Sequence, residues 1–227
     1  MVEISIIMFK GHCFPKEIIL QAIYFKLRFS LSYRDVEELL SIRGVSVDHA
    51  TIQRWVYKFS LLMEKNFRKR KKLVVNSWRM DETYIKVKGE WMFLYRAVDR
   101  EGNTIDFLLT KRRNKYAAHK FLIKAISQNS CPKVINIHQS GANREAIRTY
   151  NKRTFSKIRI RQCKYLNNRV EADHRFIKWR TQLMLGFKNF ESASRTLSGI
   201  EIVRMIKKEQ VTFPMATCYK TFCSLAG

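Results

Sequence analysis

Apolar residues recur at helical spacing through the first third of the chain and then switch to the alternation of strands. Residues 15–29 (PKEIILQAIYFKLRF) carry a broad stripe of Ile18, Ile19, Ala22, Ile23 and Phe25 to Leu27, and Pro15 suits a first helical turn. In LSYRDVEELLSIRG, Ser32 and Asp35 make a capping-box-like start. Val36, Leu39 and Leu40 form one face, and Gly44 closes the helix. In VSVDHATIQRWVYKF, Asp48 is a good N-cap, and Ile52, Val56 and Phe59 form an apolar face with Trp55 beside it. A helix pair joined by a short Gly-containing turn, with a third helix before it, predicts a helix-turn-helix. Its last helix exposes His49, Gln53, Arg54 and Lys58 to base edges or phosphates. A plain three-helix bundle without DNA contact is the alternative.

Residues 65–72 (KNFRKRKK) form a basic run. It is expected to be a linker, either simply solvated or tracking a DNA backbone through Arg68, Lys69 and Arg70. The domain boundary is expected at residue 72. That divides the chain into an all-α DNA-binding region (1–72), a catalytic region (73–210) and an uninformative tail (211–227).

Beyond the boundary SWRMDETYIKVKG, EWMFLYRAVD and TIDFLLT alternate as three strands, closed by Lys88-Gly89-Glu90 and by Arg100 to Asn103. NKYAAHKFLIKAISQN predicts a helix capped by Asn114, KVINI a short buried strand, NREAIRTYNKR a helix and SKIRIRQ another strand. Residues 168–183 and 189–209 predict two more helices. A β-meander followed by αβ units predicts an α/β fold, a ribonuclease-H-like mixed sheet flanked by helices.

The charge changes the picture. A net +25, from 44 Lys+Arg against 19 Asp+Glu, repels itself in a compact chain, and a polyanion relieves it. Double-stranded DNA is the natural partner. An anionic membrane surface is the weaker rival, because the basic residues do not line one amphipathic helix. Five cysteines without a CxxC argue against a disulfide framework and suit the cytoplasm. The opening MVEISIIMFKGHCFP is a poor signal peptide, and no apolar run is long enough to span a bilayer.

Three polar residues stand where an open α/β sheet gathers its chemistry. Asp81 lies in the first strand, His138 just past KVINI, and Glu171 at the start of a late helix. Phosphoryl transfer on DNA uses two hard divalent cations, for which carboxylates are the natural ligands. Glu82 is excluded as a partner of Asp81, because neighbours on a strand face opposite ways. Glu171, His174, Arg175 and Lys178 recur at i, i+3, i+4 and i+7, so one helix face offers a metal ligand and phosphate-binding cations. Read blandly, that face is a solvated Glu–Arg pair, and His138 is a solvent-exposed loop histidine. Asp99 reads as turn chemistry, and Asp106 either braces the site from behind its ligands or, the favoured reading, is structural.

RMDETYIKVKGEWMFLYRAVDREGNTIDF, INIHQSGAN and KYLNNRVEADHRFIKWR followed by GFKNFESASRTLSGIE together resemble the DDE transposases of bacterial insertion sequences, insertion-sequence family six. SYRDVEELLSIRGVSVDHATIQRWV resembles that family's helix-turn-helix. The resemblance implies a metal-dependent enzyme using Mg²⁺ or Mn²⁺ that cleaves at element ends and transfers the freed strand. Asp81 matches the first acid of the triad, Glu171 the third, and Lys178 a basic residue after it on the same helix. His138 falls at the second acid. The interval from His138 to Glu171 is also a residue or two shorter than the family's.

Imidazole is neutral when it binds metal, and it suits Zn²⁺ or Mn²⁺ better than Mg²⁺. Impaired chemistry is therefore expected, and Glu145, in the next helix, is badly placed to rescue it. The partners implied are terminal inverted repeats, target DNA and a second copy of the chain, in a bacterial, nucleoid-associated setting. The competing readings are a non-catalytic DNA-binding protein (a repressor or an inactive partner of an active transposase), an unrelated regulator using only the N-terminal helices, and a nuclease without strand transfer.

Overall fold

The computed structural model describes residue 9 and residues 11–184 and 186–227. Most of the opening segment read as a poor signal peptide lies outside them. Among the described residues no helix is long and apolar enough to cross a membrane. The chain divides into two compact units, one from Leu73–Lys188 and one joining the residues up to Lys72 with Asn189–Gly227.

The helical unit holds α1 (Lys16–Arg28), α2 (Tyr33–Ser41) and α3 (His49–Arg70). Ser32 and Asp35 form a full capping box on α2, and the Asp48 side chain accepts from the Ala50 N–H to start α3. Contrary to the expected linker, the basic run through Arg70 is the last part of α3. The reason is a continuous apolar stripe. Ile52, Val56, Phe59, Met63 and Phe67 recur at steps of three and four and are all fully buried, so the helix extends under the charges.

α7 (Phe190–Lys207) belongs to this unit, not to the sheet region as its sequence position suggested; much of it is buried, including Ala193, Leu197, Ile200, Val203 and Ile206. The tail is structural too. The Thr212 N–H donates to the Arg70 carbonyl at 2.7 Å, and the Arg70 guanidinium donates to Phe213 O at 3.0 Å and Ser224 Oγ at 2.9 Å. α8 (Cys218–Cys223) completes the unit.

The sheet unit holds β1 (Ser77–Val87), β2 (Glu90–Asp99), β3 (Thr104–Thr110), β4 (Val134–Ile137) and β5 (Arg159–Arg161), in spatial order β3-β2-β1-β4-β5. The first three are antiparallel, while β4 runs parallel to β1 and β5 parallel to β4. This is the ribonuclease-H-like mixed sheet expected from the sequence. The β1–β2 hairpin closes through Lys88 and Gly89 with φ of 50° and 83°, the left-handed pair that a two-residue turn needs and that glycine adopts without steric cost. Asp99 acts as turn chemistry, accepting from the N–H groups of Glu101 and Asn103 at 2.9 Å each.

α4 (Lys115–Gln128) and α5 (Gly141–Thr154) cover one face of the sheet. Trp78, Met80, Tyr95 and Ala97 pack there with Phe121, Leu122 and Ile147. α6 (Asn168–Leu183) contacts β1 and β2. Its buried residues Val170, Asp173, His174, Ile177 and Arg180 keep helical spacing but are mostly polar or charged, unlike the apolar packing on the α4 and α5 side.

Candidate active site

Alternation along β1 separates its two adjacent acids. Glu82 turns into the α5 side, where Asn143 donates to it at 3.0 Å and the Arg113 guanidinium pairs with it. Asp81 turns the other way, and its Oδ2 lies 3.8 Å from the Nδ1 of His174 on α6. Both of Glu82's carboxylate oxygens are engaged in holding the fold, and Asp81 is left to the site.

The parallel β1–β4 ladder ends with Met80 opposite Ile137. One further step in the same register sets His138 beside Asp81, at the roughly 4.8 Å spacing of neighbouring strands. His138 is exposed and lines a small cavity of about 220 Å³ with Gln139, Gln162 and Lys164. Its carbonyl accepts from the Ser140 N–H at 2.6 Å, in the turn where Ser140 caps α5.

Glu171 is exposed in the first turn of α6, and a buried amide clamp sets where that helix begins. The Asn136 Nδ2, on β4, donates to Asn167 Oδ1 at 2.6 Å and to Cys163 O at 3.0 Å, and its Oδ1 accepts from the Cys163 N–H at 3.3 Å. The residue before the last of β4 thereby holds the 3₁₀ turn (Lys164–Asn167) that leads into α6.

The electrostatics reflect this convergence. Burial, then the charges of Glu82 and Glu171, push the Asp81 carboxyl up to about 6, while the Glu82 N–H and His138 pull it back. A half-buried carboxylate with the negative charge of Glu171 near it gains from a cation.

Arg96, Asp173 and His174 lie beneath it, and of these Arg96 and Asp173 carry no signal in the sequence for such a place. Arg96 is opposite Asp81 in the β1–β2 register, is fully buried, and pairs with Asp173 of α6. His174 is not on the exposed face predicted with Glu171. It is turned inward, and burial followed by the Arg96 charge pushes its pKa down to about 3, so its imidazole is neutral. Its Nε2 is buried without a hydrogen-bond partner. Arg175 and Lys178 remain on the exposed face with Glu171. A signal for His174 was present: it falls four after Val170 and three before Ile177, on the stripe that packs inward.

Apart from Arg175, the expected DNA-contacting residues belong to the helical unit. Gln53, Arg54 and Lys58 are exposed on α3, and the Arg54 guanidinium donates to Thr51 Oγ1 at 2.9 Å. His49 is half-buried, with Nδ1 3.0 Å from Glu37 and 3.3 Å from Asp48. Lys69 is exposed, while Arg68 pairs with Glu64 at 2.9 Å and Arg70 is held by the C-terminal segment. Asp106 is buried near Lys124 Nζ at 3.4 Å, a structural placement.

Two carboxylates and an imidazole suit a divalent cation, with one anionic donor fewer than three carboxylates provide. Fold and site together place a candidate centre of two carboxylates and an imidazole on a ribonuclease-H-like sheet. Comparison with known proteins narrows this. The model of the DDE domain of IS240-type transposases matches residues 75–210. The transposase for insertion sequence-like element IS431mec of Staphylococcus aureus (strain N315) is 38% identical over 203 residues, covering 88% of this chain and 89% of that protein. The transposase for insertion sequence element IS257 in transposon Tn4003, also from Staphylococcus aureus, matches at the same 38% identity and the same coverage. Among solved structures, the catalytic core domain of BIV integrase is 14% identical with a TM-score of 0.45, covering 66% of this chain and 94% of that one. The HTLV-2 integrase catalytic core domain in complex with magnesium (trimeric form) is 17% identical with a TM-score of 0.43, covering 57% and 86%. On the domain match and the staphylococcal relatives, the chain belongs to the DDE transposases of insertion sequences, in insertion-sequence family six.

Proposed function

We propose that this transposase binds the ends of its insertion sequence and carries a strand-cleaving and strand-transferring centre impaired at its second acidic position. The observation that carries the reading is the β1–β4 register, which supports a shared site for Asp81 and His138. The effect of Glu171 on the Asp81 carboxyl supports its inclusion.

In this reading Asp81 and Glu171 are the anionic ligands of Mg²⁺ or Mn²⁺, and His138 is the third donor. When bound, such cations supply activation of the attacking oxygen and charge stabilisation at the leaving oxygen of a phosphodiester. His138 brings no negative charge and cannot bridge two cations through two oxygens, so the site holds Mg²⁺ less well than three carboxylates do. Asp81 and Glu171 set the ligand positions, Asn136 and Asn167 fix the approach of β4 to α6, and Arg96 keeps Asp173 neutralised beneath. Lys178 and Arg175, exposed on α6, meet phosphate.

DNA ends are held by α3, with Gln53, Arg54 and His49 toward base edges and Lys58 and Lys69 toward phosphate. Arg68 and Arg70 act as supports of that helix, in keeping with their bonds within the helical unit. Bringing two terminal repeats to one target requires at least two copies of the chain.

Titration of the full chain with Mn²⁺ and Mg²⁺, beside salt-dependent binding of a duplex carrying the terminal repeats, tests this. The expected outcome is end binding that weakens steeply with salt, Mn²⁺ uptake stronger than Mg²⁺ uptake, and loss of both cations in Asp81→Asn. Metal uptake unchanged in Asp81→Asn contradicts it.

A further inference from the structure

The edge of β1 is paired by β4 only from Ser77 to Met80. Among the described residues no strand covers that edge again until the bridge of Val87 to Phe187. A cavity of about 800 Å³ lies along this open stretch, lined by Tyr84, Lys86 and Trp91 on the hairpin and by Lys178 and Gln182 on α6. It lies further along β1 and α6 than the candidate site, and Tyr84 and Lys86 share the strand face of Glu82, opposite to that of Asp81. Tyr84 is three strand residues past Asp81, about 10 Å. Lys178 is seven helical residues past Glu171, also about 10 Å. That is the length of about three nucleotide steps.

The lining is unusual for a solvent-facing wall. Trp91 is 59% exposed and Tyr84 46% exposed, their ring centroids lie 6.1 Å apart at 82°, and Tyr84 also meets Phe93 at 5.3 Å. Lys86 is opposite Trp91 in the hairpin register, with Nζ 6.0 Å from the indole centroid. The far end of the groove is fixed by backbone. The Phe187 N–H donates to Lys86 O at 3.2 Å, and the Lys88 N–H donates to Phe187 O at 2.6 Å. Gly186 lets the two segments come this close, since a Cβ there would sit 3.3 Å from the Lys86 carbonyl oxygen. A clustered, exposed aromatic surface marks a binding site. Its two lysines, and the absence of an acid among the lining residues, select an anionic partner.

We infer that this groove holds an unstacked base from a locally single-stranded stretch of the DNA end, with Trp91 and Tyr84 as the stacking faces and Lys86 and Lys178 on the adjoining phosphates. Aromatic faces between lysines suit any base, because every base has a π-face. The duplex is read by α3, whereas the groove takes the strand that opens near the reacting phosphate. The inference rests on the reading that the chain binds DNA ends.

Fluorescence anisotropy of the full chain in EDTA, with a labelled single strand of the element's end and the same sequence as duplex, tests it without any catalysis. Trp91→Ala is expected to lower single-strand affinity about ten-fold and leave duplex affinity unchanged, with Trp91→Phe close to the parent. Lys86→Gln is expected to reduce the slope of log affinity against log salt for the single strand by about 0.7. Single-strand affinity unmoved by Trp91→Ala, or single-strand and duplex affinities falling together, overturns the groove alone. Failure to bind either DNA overturns both the groove and the end-binding function.

Discussion

The Asn136 side-chain amide donates to Asn167 at 2.6 Å, and this contact ties the strand that leads to His138 to the turn that launches the helix bearing Glu171. Both residues are buried. Asn136→Ala deletes this bond and two to Cys163, leaving buried polar groups unpaired. The expected loss is about 1–3 kcal/mol in urea denaturation. Mn²⁺ uptake should weaken as well, because the Glu171 helix loses its register against β4. Weakened stability with unaltered Mn²⁺ affinity contradicts the positioning role.

Arg96 and Asp173 make the second support. Removing one partner of a buried pair strands a charge, so Arg96→Met is expected to cost about 3–5 kcal/mol. The double replacement Arg96→Met with Asp173→Leu should recover much of that. A double-mutant cycle with no coupling energy rules the pair out as a structural element.

Asp81 makes stability depend on pH. Its folded pKa, pushed up to about 6, lies above the unfolded value near 4, so the folded chain holds that proton more tightly between them. Its contribution is complete below about pH 4 and is lost as pH rises through about 6, on the order of 3 kcal/mol at most. In EDTA at neutral pH, Asp81→Asn should therefore melt higher than the parent, and Mn²⁺ should raise the parent's melting temperature but not the variant's. A variant less stable than the parent at neutral pH goes against burial as the cause.

Much of this was legible from residue order. Caps at Ser32, Asp48 and Asn114, the Lys88-Gly89 turn and the change of period after the basic run specify the elements, because each is local chemistry. The basic run itself misled, since Lys65 and Arg68 to Arg70 conceal the stripe that Met63 and Phe67 continue. The grouping of residues 189–227 with the helical unit was hidden for another reason. α7 is buried around much of its circumference and shows no one-sided pattern to say which layer it enters. Asp81, His138 and Glu171 are candidates by residue type and order. Arg96 and Asp173 carry no such signal, because a charged residue reads as solvent-facing until its partner arrives from another element, and His174 reads as part of the exposed Glu171 face although it is buried.

Glu82 and Asp81 should separate cleanly. Glu82→Gln removes the charge that holds Arg113 and weakens the fold, yet leaves every proposed ligand in place. Its melting temperature should fall while Mn²⁺ binding persists. Loss of Mn²⁺ binding in a folded Glu82→Gln protein places Glu82 in the metal site and contradicts the assignment of opposite faces.

In the proposed function His138 is the lesion in an otherwise assembled centre. The most direct test compares the parent with His138→Asp on a duplex carrying the element's terminal repeats, in Mg²⁺ and in Mn²⁺. The variant is expected to nick and join in Mg²⁺ faster than the parent by at least about a hundredfold, with the difference narrower in Mn²⁺. A parent that nicks and joins in Mg²⁺ as fast as the variant contradicts it.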